Sequence, residues 1–189
     1  MIDSASNLLG EISRPELLKH HSYINGCFEA QSENIGKTAE TISVTDPATG
    51  RSIGEVHLAN ENDVERTIAT ASAALGSWRS MLGKDRGALL RCWGALMIDN
   101  REDLARIMTA EQGKPLEEAR GEINYAADFL TWFAAEAERI QGDIHTPHKP
   151  DRRMLVLRQA IGVTAAITPL GWLALTHHLL PVRQYLLAV

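Results

Sequence analysis

A chain of 189 residues with 44% hydrophobic and 23% charged residues is long enough to bury a core and too apolar to be disordered. Its formal net charge of −5 gives no broad electrostatic attraction for nucleic acid or for an anionic membrane surface, which sets both aside as partners. Cys27 and Cys92 lie far apart without a CxxC spacing, which argues against a disulfide framework and a thiolate zinc site and fits a reducing, cytoplasmic setting.

Residues 1–7 carry an early acid and no positive stretch before an apolar run, so they do not read as a secretory signal. A short helix is expected over residues 14–20. Tyr23-Ile24-Asn25-Gly26-Cys27-Phe28 then places Asn-Gly between apolar pairs, the pattern of a tight hairpin. A second hairpin is predicted from Ile42-Ser43-Val44-Thr45, the turn residues Asp46-Pro47-Ala48-Thr49-Gly50, and Ile53-Gly54-Glu55-Val56.

Helical periodicity begins near Asn60 or Asn62, either of which can cap a helix with Asp63 in its first turn. Val64, Ile68, Ala71 and Leu75 supply its apolar face to about Trp78. Over residues 84–111 the period continues through Leu89, Trp93, Leu96, Met97, Leu104, Ile107 and Met108, with an interruption at Asp99-Asn100. Gly113 and Pro115 mark the end of that segment and the start of the next as C-terminal glycine and first-turn proline. Residues 116–140 repeat the pattern through Ile123, Ala127, Leu130, Phe133 and Ala137. These faces read as a packed helical core rather than as a cofactor box built from Trp93 and Trp132. Beyond Gly142, residues 153–158 read as a half-exposed strand and residues 162–167 as a strand apolar on both faces, which belongs in a parallel sheet covered by helices. The fold class is therefore α/β, beginning a sheet domain without the further βα units that complete one. The uncharged run 161–176 contains Pro169 and Gly171 and is shorter than the roughly 20 residues of a membrane-spanning helix.

Catalytic motifs are few. Gly36-Lys37-Thr38 lacks the leading glycine of a phosphate loop, because position 31 is Gln31, and no GxGxxG occurs. His145 with His148, and the pairs His20-His21 and His177-His178, have no carboxylate or thiolate at ligand spacing, so no metal is expected. Glu118 and Glu122 share a helical face with Glu117 and Arg120 nearby, which reads as a solvated charged surface. No GxSxG elbow is present.

One resemblance carries the reading further. Lys84-Asp85-Arg86-Gly87-Ala88-Leu89-Leu90-Arg91-Cys92-Trp93 and Asp103-Leu104-Ala105-Arg106-Ile107-Met108-Thr109-Ala110-Glu111-Gln112-Gly113-Lys114-Pro115-Leu116 closely resemble the N-terminal part of the aldehyde dehydrogenase family. The likeness continues through Gly121-Glu122-Ile123, Trp132-Phe133-Ala134 and Gly142-Asp143 to Gly162-Val163-Thr164-Ala165-Ala166-Ile167-Thr168-Pro169. The wording of the Glu111–Leu116 stretch and of the last strand is most similar to the succinate-semialdehyde type.

The resemblance implies an incomplete aldehyde dehydrogenase fold: residues 1–141 as the hairpins and helices of a cofactor-binding domain, 142–160 as a linker with an oligomerisation strand, 161–169 as the first Rossmann-like strand, and 170–189 as a tail foreign to the family. It implies a nicotinamide cofactor, NAD or NADP, with Ile167, Thr168 and Pro169 as a vestigial cofactor-binding turn. Relatives oxidise aldehydes through a cysteine thiohemiacetal, with hydride passing to the cofactor and a glutamate activating water. Their strand leads into Trp-Asn, whose amide stabilises the oxyanion; here Leu170-Gly171-Trp172 follows Pro169, and the asparagine is absent. Neither Cys27 nor Cys92 matches the nucleophile's motif, so no catalytic residue transfers. The expectation is a fragment that is inactive and binds cofactor poorly on its own, its tail read from a shifted frame. The alternative is a non-catalytic module that associates with itself or with an intact relative.

Overall fold

The computed structural model describes residues 9–28 and 40–165. After a 3-10 turn at Pro15–Leu17, β1 (Tyr23–Ile24) and β2 (Cys27–Phe28) form the expected tight hairpin. Asn25 and Gly26 take φ of 52° and 86° at its tip, the left-handed pair that a two-residue connection demands. The second hairpin pairs β3 (Thr41–Thr45) with β4 (Ser52–His57), Thr41 opposite His57 and Ile42 opposite Val56. Its turn is organised by the buried Asp46, whose carboxylate accepts from the Ala48 N–H at 2.9 Å and the Thr49 hydroxyl at 2.8 Å.

Four helices follow: α1 (Glu61–Ser80), α2 (Gly83–Asp99), α3 (Arg101–Gln112) and α4 (Leu116–Ala137). Of the two candidate caps for α1, Asn60 is the one used: its side chain accepts from the Asp63 N–H, and the Asp63 carboxylate accepts from the Asn60 N–H, both at 3.1 Å. The chain breaks between α2 and α3 at Asn100, whose side-chain amide donates to the Leu96 carbonyl at 2.7 Å. Gly113 ends α3 in the left-handed conformation, φ 71°, and donates to the Thr109 carbonyl at 2.8 Å. Pro115 sits one position before the first helical residue of α4 rather than on it, and α4 stops at Ala137, short of the expected residue 140.

The core lies where α4 packs on α2 and α3. Leu90 and Met97 of α2 and Leu104, Ala105 and Met108 of α3 meet Ala119, Ile123, Ala127, Leu130 and Ala134 of α4. The α2–α4 approach is set by small residues. A Cβ added to Gly83 would lie 2.2 Å from the Ala137 carbonyl oxygen, and one on Gly87 would lie 2.6 Å from that of Ala134. Only a hydrogen fits at either place.

That geometry rotates α2 away from the face its large apolar residues suggest. Leu90 is buried, whereas Leu89 and Leu96, both expected in the core, are exposed; so are Val64 and Ile68 on α1 and Phe133 on α4. Large side chains cannot occupy a seam that brings two backbones this close, so glycine and alanine take it.

Beyond α4, β5 (Asp143–His145) pairs with β6 (Met154–Val156) in a hairpin whose six residues are all exposed. The anticipated strand at 153–158 is thus shorter, and its partner β5 lay outside the expectation. The expected strand at 162–167 is not formed over 162–165, where no strand among the described residues supplies hydrogen bonds; its last two residues lie outside the described residues. Among the described residues, every sheet is a two-stranded antiparallel pair.

Candidate functional site

The segment before β1 is fastened to the helices by one carboxylate. Buried Asp103, in the first turn of α3, accepts from the Ser13 N–H at 3.1 Å and the Arg14 N–H at 3.0 Å. Two backbone donors with no regular-structure partner are satisfied by one ionised acceptor, the stronger kind of hydrogen bond.

A lattice of charge crosses α3 and α4. Glu102 accepts both Arg120 Nε and Arg120 Nη2 at 2.8 Å and lies 3.2 Å from Arg106 Nε, while Arg106 also reaches Glu11. The bidentate Arg120 guanidinium, first of all, holds the Glu102 carboxyl below its ordinary value. Arg120 reaches on to Glu117 at 2.8 Å, and Lys114 closes on Glu122. Glu118 is exposed and Glu122 is engaged in that pair, so the two do not form a facing acid–base couple.

Glu111, in the last turn of α3, lines a cavity of about 40 Å³ with Leu18, His20, Val44 and Val56, and burial raises its carboxyl above the usual range. A larger cleft of about 600 Å³ opens beside the start of α2, lined by Arg79, Ser80, Arg86, Ile140, Arg158, Gln159 and Ala160. Two of its three guanidiniums are tied into the fold: Arg86 donates to the Met81 carbonyl, and Arg158 donates to the Gln141 carbonyl at 2.9 Å and sits 3.5 Å from Asp143. Arg86 and Arg158 brace the junction of α1, α2 and the strand after α4.

On the side of α4 away from the core, Tyr125 meets Phe129 edge-to-face at 4.8 Å and Phe129 stacks with Phe133 at 6.2 Å, with Trp132 alongside. All four are exposed, which makes this an apolar surface rather than a lined box.

The expected cofactor turn, Ile167, Thr168 and Pro169, lies outside the described residues, as do His177 and His178. Cys27 is exposed at the first hairpin, its thiol 3.4 Å from the Ile24 carbonyl, and Cys92 is exposed on α2; both are free thiols. His145 and His148 are exposed. Among the described residues no three His, Cys, Asp or Glu converge on a metal position, and no helix is long and apolar enough to cross a membrane. Asp103 and the glycine seam escaped the sequence reading. The spacing of Gly83, Gly87 and Gly94 along one helical face was the available signal for the seam.

The arrangement is a scaffold with an ion-pair lattice, and comparison with known proteins agrees with the resemblance. The aldehyde dehydrogenase family model matches residues 35–172. The chain belongs to the aldehyde dehydrogenase family. It is 50% identical over 159 residues to glutarate-semialdehyde dehydrogenase of Pseudomonas putida, covering 84% of this chain and 32% of that protein. Against the NADP-dependent succinate-semialdehyde dehydrogenase of Escherichia coli the identity is 45%, with the same coverage of 84% and 32%. Among solved structures, an E. coli NADP-dependent enzyme superposes with a TM-score of 0.81 at 40% identity, over 94% of this chain and 36% of that one. The succinate-semialdehyde dehydrogenase of Burkholderia pseudomallei gives 0.74 at 43% identity, over 81% and 31%. The chain thus spans about a third of the length of the curated relatives it matches.

Aldehyde dehydrogenases use a nicotinamide cofactor. The described residues do not fit that group: a dinucleotide lies in the crevice at the carboxyl edge of parallel strands, and the described sheets are antiparallel hairpins.

Proposed function

We propose that residues 1–189 are the N-terminal scaffold of an NAD- or NADP-dependent aldehyde dehydrogenase acting on a short semialdehyde that carries a carboxylate, succinate semialdehyde first. The identity with semialdehyde dehydrogenases over α1 to β6 carries this reading. In it, 1–141 is the hairpin and helical part of the cofactor-binding domain, 142–160 an oligomerisation hairpin, and 161–169 the start of the dinucleotide sheet, where Ile167, Thr168 and Pro169 border the cofactor. The tail 170–189 has no role in this scheme.

Turnover needs a thiolate in a pocket, an oxyanion donor and a base acting as a unit, and losing one costs a factor of about 10² or more. Cys27 and Cys92 are both exposed, and neither lines the cleft beside α2 or the cavity at Glu111. The 189-residue polypeptide is therefore expected not to reduce NAD or NADP with succinate semialdehyde. Reduction that exceeds a heat-treated control and scales with protein overturns that expectation. A second reading, a non-catalytic association module in the cytoplasm, is favoured by the β5–β6 hairpin, where Ile144 is 83% exposed. Mixing with an intact semialdehyde dehydrogenase and reading co-elution separates the two.

A further inference from the structure

Three histidines meet where the N-terminal segment crosses β4. The His57 N–H donates to the His20 carbonyl at 2.9 Å, and His20 Nδ1 lies 2.7 Å from the Glu55 carbonyl oxygen. A carbonyl only accepts, so that nitrogen carries the proton. Beside this tie the rings of His21 and His57 stack, centroids 4.3 Å apart and planes within 15°. The Nδ1 atoms of both rings are buried without a hydrogen-bond partner.

Two neutral imidazoles can share such a contact. An imidazolium cannot do so cheaply, because a protonated ring donates from both nitrogens, and one donor would be buried without an acceptor against the second ring. Burial first, then the neighbouring His57 and His20, hold His21 below the ordinary histidine value. The charged groups on the surrounding elements do not relieve this. Lys19 lies over the Phe28 ring at 4.8 Å, Glu40 and Glu55 are exposed, Glu111 lines the adjoining cavity, and Asp63 on α1 is paired with Arg66. None of these carboxylates is bonded to either stacked ring.

We propose that the His21–His57 stack is an acid-opened latch: a proton taken up at His21 parts the rings and releases residues 18–21 from β4, while α2, α3 and α4 stay packed. The helices have their own core, which contains none of these histidines. Asp103 holds residues 13 and 14 independently of the stack.

The sign follows from linkage. With its folded value below the unfolded 6.5, His21 binds more protons when released, so the latch is closed above pH 6.5 and weakens as pH falls below it. One proton taken up per opening changes the opening constant by at most about tenfold per pH unit.

Amide hydrogen exchange of the full 189-residue chain from pH 7.5 to 5, corrected for the intrinsic pH dependence of exchange, reads this directly. Residues 18–21 are expected to open progressively more as pH falls below 6.5, by no more than about tenfold per unit, with α3 unchanged, and His21→Phe to flatten that slope. A flat profile in the unsubstituted chain, the same slope in His21→Phe, or parallel opening of α3 each overturns the latch. If His21→Phe fails to fold, the His21 ring resonance decides: a titration midpoint below 6.5 that coincides with the opening supports the latch, and a midpoint at or above 6.5 overturns it.

Discussion

At Gly87 and Gly94 the same chemical change has opposite consequences, because the two glycines face α4 at different distances. A methyl on Gly87 would sit 2.6 Å from the Ala134 carbonyl oxygen, so the helices must part, and overpacking of this kind costs roughly 1–3 kcal/mol. A methyl on Gly94 would lie 3.4 Å from the Ala127 carbonyl, which is ordinary contact, and alanine gains about 0.5–1 kcal/mol of helix propensity. Gly87→Ala is expected to lower the melting temperature by several degrees, and Gly94→Ala to leave it unchanged or raise it slightly. Equal shifts from the two would refute the seam. Glu102 and Glu111 make a similar contrast in pH. Arg120 and Arg106 depress Glu102, so its contribution is present above 4.5 and fades as pH falls through its folded value. Burial raises Glu111, so its ionisation costs stability as pH climbs from 4.5 through the raised value. Glu111→Gln removes that cost. Its melting temperature minus that of the unsubstituted chain is expected to grow between pH 4.5 and 7.5, and a difference independent of pH would show that Glu111 does not titrate in this range.

Elements were legible in the sequence wherever a backbone requirement left a chemical trace. Asn25-Gly26 marked the first hairpin, Asn60 with Asp63 the start of α1, Asn100 the α2–α3 break and Gly113 the end of α3. Each satisfies a dihedral or an orphan backbone group that few other residues can: a left-handed turn at Asn25-Gly26 and Gly113, an N–H at Asn60, and the Leu96 carbonyl at Asn100. The faces of the helices were less legible, because apolar periodicity counts large side chains, whereas the α2–α4 seam is written in glycine and alanine, which add little to it. Leu89 and Leu96 were therefore expected inside, and Leu90 is the one buried. The ties of Asp103 and of the histidine stack join residues tens of positions apart, and no local spacing announces them. Asp103 gives an element-scale prediction. Asp103→Ala leaves two N–H groups without their acceptor, at about 1–3 kcal/mol each where they stay buried. Exchange of residues 9–18 is expected to accelerate well beyond that of α4, and uniform acceleration would mean that Asp103 supports the core rather than the segment.

For the whole molecule, the distribution of apolar surface decides behaviour in solution. The helical core is closed, yet Ile144 and Leu155, paired in the β5–β6 hairpin, are 83% and 63% exposed, Leu157 just beyond it is 76% exposed, and Trp132 is 63% exposed on α4. Contiguous surface of this kind is where soluble proteins associate. The two patches differ in what they offer a partner. Among the described residues the hairpin's outer strand edges are unpaired, so it can extend its ladder with another strand, whereas the aromatic face of α4 has its backbone hydrogen bonds closed within the helix. Edge pairing combines backbone bonds with side-chain burial and should dominate. The chain is therefore expected to associate with rising concentration in sedimentation or light scattering, and Ile144→Thr with Leu155→Thr to shift it toward monomer more than Phe129→Ser with Trp132→Ser. Threonine keeps strand propensity, so the double change removes apolar area without unmaking the hairpin. Loss of association in the α4 variant alone would move the sticking surface to the aromatic ladder and leave the hairpin without the role assigned to it.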